Sequence, residues 1–260
     1  MGDVRETVSI DELQKILMLD QVDAGNGTLF GVSAAKKQEP RKNALTLVIA
    51  TGGSGAKAIS EAIKIADQKL LPEYQNYVDF LLVDSDTEEI EGIKNKNGVR
   101  TLYTSTRGAA HRMTLKPGEE RRPEFFRKFM PADYDILKIN GKGASRDRIT
   151  GKMKLYDETD DGTSTNDTRF QDMIVSLFNG KWSAYKQLPV DIMILTGISG
   201  GNGSGTFMDL AARAKHACHV AGAAGVKVYG YIMLPDTAEG FAHADSIKQT
   251  FYQNGYAALK

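Results

Sequence analysis

The chain has 260 residues, and its 33 Lys and Arg balance 33 Asp and Glu, so the formal net charge is zero. That balance argues against a dedicated nucleic-acid binder, which carries a basic excess; the 41% hydrophobic content allows a sizeable core. The single cysteine, Cys218, excludes a disulfide framework and makes a reducing cytoplasm the default expectation.

The start Met1-Gly2-Asp3-Val4-Arg5 is followed by no apolar core, so no secretory signal is read there. No apolar run reaches the ~18 residues needed to span a bilayer, and no membrane association is expected. Met1-Gly2 opens like a myristoylation site, but Glu6 stands where Ser or Thr is wanted. Residues 1–43 read as an appendage. Ser9 to Glu12 has capping-box spacing, and Ile10, Leu13, Ile16 and Leu17 make one apolar face of a short helix, packed on the domain or docked on a neighbouring subunit. Lys36 to Lys42 is a charged linker.

From residue 44 the pattern alternates strand, turn and helix. Leu45–Ala50 is a nearly continuous apolar run, as in a strand buried on both faces. The glycine turn Thr51-Gly52-Gly53-Ser54-Gly55-Ala56-Lys57 follows, then a helix over Ala58–Leu70. A second strand, Tyr77–Val83, ends in Asp84-Ser85-Asp86, and Val99–Thr104 is a third. The stretch 105–189 is less regular, with short helical signals at Pro123–Met130 and Phe170–Phe178 and an acidic turn at Asp157–Asp161 that reads as solvated. Val190–Leu195 is a fourth strand. It leads to the run Ser199-Gly200-Gly201-Asn202-Gly203-Ser204-Gly205, a small-residue helix over Thr206–Ala224, and a fifth strand, Val226–Leu234. Strands alternating with helices imply a parallel sheet with right-handed crossovers, a Rossmann-like α/β domain over 44–260 with helices on both faces.

The two glycine turns occupy equivalent strand-to-helix positions. A glycine-rich turn can aim several backbone N–H groups at one point, and beside a helix N-terminus those donors suit a phosphate. The first turn is not a P-loop and fits the dinucleotide fingerprint only in its weaker form, with Ala58 as the last position. Gly197-Ile198-Ser199-Gly200-Gly201 also has the spacing of a hydrolase nucleophile elbow, but the only convenient acid and base, Asp236 and His243, lie seven residues apart. His216 and His219, flanking Cys218, lack a second ligand pair at zinc spacing and read as an exposed helix face.

Ser199 to Gly205 closely resembles the tubulin signature, in which Ser, Ala or Gly precedes Gly-Gly-Thr-Gly-Ser/Ala-Gly; Asn202 replaces the Thr. Thr51 to Ala58 resembles the family's first nucleotide loop. Asp84-Ser85-Asp86 resembles the Asn-Thr-Asp of FtsZ, the bacterial tubulin homologue. Gly141-Lys-Gly-Ala-Ser-Arg146 is similar to the loop near the γ-phosphate, and Leu234-Pro235 with Glu239-Gly240 to the ribose-side loop. The resemblance covers about 44–260 and is nearer to divergent bacterial tubulin-like proteins than to eukaryotic tubulin.

The resemblance implies a tubulin-type nucleotide-binding domain of a filament-forming GTPase, binding GTP or GDP with Mg²⁺ and assembling head to tail. Gly52, Gly53, Ser54, Gly55, Ser199, Gly200, Gly201, Asn202, Gly203 and Ser204 would hold phosphates. Asp84 and Asp86 would line the metal side, Arg146 the γ-phosphate and Glu239 the ribose. No metal ligand is assigned with certainty. Hydrolysis in that family is completed by an acidic loop of the neighbouring subunit, so catalytic residues are expected beyond Lys260 and this chain alone should be nearly inactive, with the second domain absent. Two other classes remain: a Rossmann-type NAD(P)-dependent oxidoreductase, for which Asp84 would meet the ribose, and a nucleotide-free assembly module.

Overall fold

The computed structural model describes residues 43–94, 98–104, 143–159, 162–235 and 245–259. The appendage, the helical signal at Pro123–Met130, and Asp236, Glu239 and His243 lie outside them.

Five strands form one parallel sheet: β1 (Leu45–Thr51), β2 (Val78–Asp84), β3 (Val99–Tyr103), β4 (Val190–Gly197) and β5 (Val226–Met233). Their order is β3-β2-β1-β4-β5. The chain therefore builds outward from β1 to one edge, then crosses back to lay β4 on the other side of β1. In such a doubly wound sheet the point of reversal leaves a crevice at the carboxyl ends of the two central strands, where ligands bind. Here those strands are β1 and β4, in register from Leu45 beside Val190 to Thr51 beside Thr196.

The two-residue period of the strands divides the core. Leu45, Leu47, Ile49, Leu81, Val83, Ile192 and Ile194 face one layer; Val48, Ala50, Phe80, Leu82, Met193 and Leu195 face the other. The first layer holds α4 (Asn166–Asn179) and α5 (Gly201–Val220), whose Phe170, Ile174, Leu177, Phe178, Leu210 and Ala214 are buried. Phe178 meets Trp182 edge to face with ring centroids 5.5 Å apart. The second layer holds α1 (Gly52–Lys69) and α2 (Thr87–Lys94), through Ile59, Ile63, Ile90 and Ile93. At about 1.5–3 kcal/mol for each large apolar side chain removed from water, these two layers supply the main stabilising term. Two further helices, α3 (Arg148–Tyr156) and α6 (Asp245–Leu259), complete the described chain.

The helix starts differ from the sequence expectation. Both glycine turns are helical: α1 begins at Gly52 rather than Ala58, and α5 at Gly201 rather than Thr206. Glycine disfavours helix by about 1 kcal/mol relative to alanine, yet close packing overrides that preference here. A Cβ at Gly55 would stand 2.6 Å from the Leu195 carbonyl, and one at Gly201 2.5 Å from the Asp147 nitrogen. Helices α2 and α3 are additions to the expected elements, and the helix expected to end over Phe170–Phe178 is α4, which starts at Asn166. Before α4 an antiparallel bridge joins Glu158 to Thr165, while Asp160 and Asp161 of the acidic turn lie outside the described residues. His216 and His219 are exposed on α5 while Cys218 is buried in the core.

Candidate functional site

The two glycine segments meet. A Cβ on Gly52, which needs its left-handed φ of +74°, would lie 3.0 Å from the Gly203 nitrogen, so the first turns of α1 and α5 touch backbone to backbone. These starts are unusual within the molecule. A helix leaves its first N–H groups without partners, and side-chain caps or first-turn acids normally satisfy them. Asp147 caps α3 by accepting from the Ile149 and Thr150 nitrogens. Helix α2 has Glu88 and Glu89 in its first turn, α4 has Asp167 and α6 has Asp245. Among the described α-helices only α1 and α5 have neither a side-chain cap nor a first-turn acid. These two uncapped starts lie side by side at the carboxyl ends of β1 and β4, the switch point of the sheet.

Within the signature, the residues have different surroundings. Gly200, the N-cap of α5, has φ −84° and ψ 167°, and a Cβ there would meet nothing within 4 Å. Gly203 faces inward, where a Cβ would strike the Gly197 carbonyl and stand 2.6 Å from the Thr196 hydroxyl. Gly201 and Gly205 face α3. Ser204 is buried, its hydroxyl donating to the Gly200 carbonyl and its own carbonyl accepting from Arg148 Nε at 3.0 Å. Ser199 is also buried. Of the first segment, Gly52 and Gly55 are buried and Ser54 is exposed; a Cβ on Gly53 would lie 2.8 Å from Glu89 Oε1.

Asn202, the departure from the tubulin pattern, turns its side chain into the protein. Its amide nitrogen lies 3.2 Å from Thr51 Oγ1, 3.4 Å from the Val83 carbonyl and 3.2 Å from Asp84 Oδ1. Thr206 donates its hydroxyl to the Asn202 carbonyl at 2.7 Å, so in the 2.9 Å contact between the two threonines Thr51 is the donor. The start of α5 is thereby tied to the ends of β1 and β2.

Asp84 is 2% exposed. Its Oδ1 also accepts from the Ser85 and Asp86 nitrogens at 2.6 and 3.0 Å, but its Oδ2 is buried without a hydrogen-bond partner. Burial pushes this carboxyl up to about 7, opposed by the two backbone donors and reinforced by Glu89 and Asp86. An acid so enclosed is poorly placed to meet a dinucleotide ribose. Sequence reasoning missed the cation beside it. Lys154, on α3, is fully buried, donates to the Gly143 carbonyl at 2.8 Å and has its pKa lowered by burial, partly restored by Asp84 and Asp86. The capping position of Asp147 was the signal available in the sequence for the start of that helix.

Asp86 is half-buried. Its Oδ1 accepts from the Glu88 nitrogen at 2.9 Å, and its Oδ2 faces the Gly143 turn, 3.7 Å from where a Cβ would stand. Beyond that turn, Arg146 is exposed with its guanidinium 5.9 Å above the Phe251 ring, and its carbonyl is held by α6. Among the described residues no three His, Cys, Asp or Glu side chains are grouped to hold a metal ion. The donor set fits Mg²⁺ in the mode that uses one or two carboxylates plus ligand phosphates, with Asp86 the carboxylate in reach.

A sequence model described as tubulin-like matches residues 47–260. The chain belongs to the tubulin-like family. No curated protein matches it. Solved structures of similar fold include TubZ of Clostridium botulinum phage c-st with its C-terminal tail truncated, at 10% identity over 84% of this chain and 47% of that one, TM-score 0.41. Another is CetZ2 from Haloferax volcanii in a GTPγS-bound protofilament, at 15% identity over 83% and 56%, TM-score 0.36. This chain thus spans about half the length of those structures. The α/β Rossmann-like sheet expected from the sequence is the tubulin-type fold, and the family assignment rests on the match over 47–260. Among the described residues no helix is long and apolar enough to cross a membrane.

Proposed function

We propose that this tubulin-like chain binds a guanine nucleotide at the carboxyl ends of β1 and β4, as the nucleotide-binding domain of a filament-forming GTPase. The observation that carries the reading is the meeting of two helix starts, α1 and α5, that alone among the described α-helices have neither side-chain cap nor first-turn acid. Their uncapped N–H groups suit the phosphates of a nucleotide. Gly52, Gly53, Ser54, Gly55 and the 199–204 segment hold the phosphate chain through backbone donors. Asp86 would hold Mg²⁺, which would neutralise phosphate charge, and Arg146 would approach the γ-phosphate. Glu239 serves the ribose. Membership of the tubulin-like family supports guanine as the base and head-to-tail self-association. Turnover is completed by acidic residues of a neighbouring subunit, because the helix starts stabilise charge but do not orient an attacking water.

Gly200→Asp tests the site with opposite signs in two measurements. The backbone of Gly200 is already that of an N-cap, so aspartate there caps α5 and stabilises the fold by a few tenths of a kcal/mol over glycine, with a helix-dipole contribution of about 0.3–1 kcal/mol added. The same carboxylate occupies the donors and repels phosphate, and affinity for GTP and GDP is expected to fall at least about tenfold, about 1.4 kcal/mol. Thermal melts without ligand and calorimetry with GTP, GDP and NAD read both effects. Unchanged guanine-nucleotide affinity in the capped variant rejects the site, and NAD binding in place of GTP returns the oxidoreductase reading.

A further inference from the structure

Helix α6 buries three residues, Phe251, Asn254 and Gly255, which between them meet Arg146, the Ile198–Ser199 segment and Pro235 at the carboxyl edge of the sheet. Phe251 lies under the Arg146 guanidinium. Gly255 packs against Pro235 and Ile198; a Cβ there would stand 2.5 Å from Pro235 Cγ and 3.7 Å from Ile198 Cδ1. Between them, Asn254 donates from Nδ2 to the Arg146 carbonyl and to the Ser199 carbonyl, each at 2.9 Å.

A primary amide has two N–H groups on one nitrogen, so both are committed, one to each loop. Asn254 is only 9% exposed, which leaves little solvent to replace either bond. One of the two loops is strained. Ser145 and Arg146 are non-glycine residues at φ 47° and 60°. Such conformations are strained and persist where the surroundings over-determine them. The Asn254 bond falls on the carbonyl of the second strained residue, so it is placed to hold the loop in that shape.

We propose that Asn254 is a positioning residue: by clamping the 143–147 loop to the 199–200 segment it sets the preference of the site for a nucleoside triphosphate over a diphosphate. The assignment rests on the nucleotide reading above. The two open helix starts suffice for a diphosphate. A third phosphate must also be met from the 143–147 loop, whose placement depends on the clamp. Asn254 itself touches no phosphate in this scheme and acts through the two carbonyls.

The test compares Asn254→Ala, which removes both donors, with Asn254→Asp, which keeps the shape and turns oxygens toward both carbonyls. Calorimetry with GDP and with a non-hydrolysable GTP analogue is paired with thermal melts of the ligand-free protein. Affinity for the triphosphate is expected to fall about tenfold in each variant, with GDP affinity changed about twofold or less. Asn254→Ser, which retains one donor, should lie between wild type and Asn254→Ala and serves if the other two fail to fold. Equal loss for both nucleotides, or no loss for either, overturns the assignment and leaves Asn254 with a packing role. Wild-type protein that binds neither nucleotide overturns the nucleotide reading itself, and the assignment with it.

Discussion

Gly205→Ala should destabilise the chain by about 1–3 kcal/mol, the range for a methyl group forced into a filled contact. The sign is opposite to the usual one, since alanine is favoured over glycine inside a helix by about 1 kcal/mol. The reason is the crossing of α3 and α5. A Cβ on Gly205 would collide with the Arg148 carbonyl and lie 3.0 Å from the Lys152 nitrogen. A Cβ on Gly151 of α3 would lie 2.5 Å from the Gly201 carbonyl. Both sides of the contact are main chain, so no side chain can rotate away and the helices must separate. Gly200→Ser, a few residues earlier, meets open space and should be neutral or slightly stabilising. Urea melts of the two variants decide the matter; equal stabilities would show that α3 and α5 do not cross this closely.

Asp84 should make the ligand-free protein less stable as pH rises. Burial holds the folded carboxyl near 7, whereas the unfolded one releases its proton near 4. Between those values the folded state retains a proton that the unfolded state has lost, so stability declines with rising pH. A displacement of about three pH units sets a ceiling of about 4 kcal/mol. Asp86, Glu89 and Lys154 face the same carboxyl, and Lys154 favours its ionised form, so the observed loss should be smaller. Asp84→Asn keeps an acceptor for the Ser85, Asp86 and Asn202 donors and removes the titration. The variant should lose most of the decline between pH 4 and 7, with its remaining pH dependence set by other groups. An identical slope in wild type and variant would show that Asp84 is ionised in the folded protein throughout this range.

The strands were legible because burial on both faces leaves little room for polar residues: Leu45–Ala50 and Val190–Leu195 read as apolar runs and are strands, which extend to Thr51 and Gly197. The pairing of two glycine segments was legible for the same topological reason, since each follows a central strand. Their helical conformation was not. Glycine in a sequence signals a turn as readily as a close approach, and only the position of Asp147 or Leu195 opposite distinguishes the two. Lys154 and Asn254 were hidden for another reason. A lysine on a short helix and an asparagine on an amphipathic one normally face water. What assigns them is the carbonyl oxygens that converge on them from residues far away in the chain. Asn202 stood out as a departure from a pattern, but its inward direction depends on Thr51 and Asp84 standing beneath it.

The contact between Gly52 and Gly203 has a consequence for how the fold is held together. Each helix start carries roughly half a positive elementary charge, and these two are pressed against each other with no acidic residue of their own in the first turn, although Glu89 stands beside Gly53 and Asp84 beside Asn202. Like ends of two dipoles repel, a cost that the Glu89 and Asp84 side chains offset in part and that the hydrophobic layers on either side of the sheet oppose. An anion seated between the starts turns that repulsion into attraction on both sides at once. An anionic ligand seated there would act as a further counter-charge within the architecture.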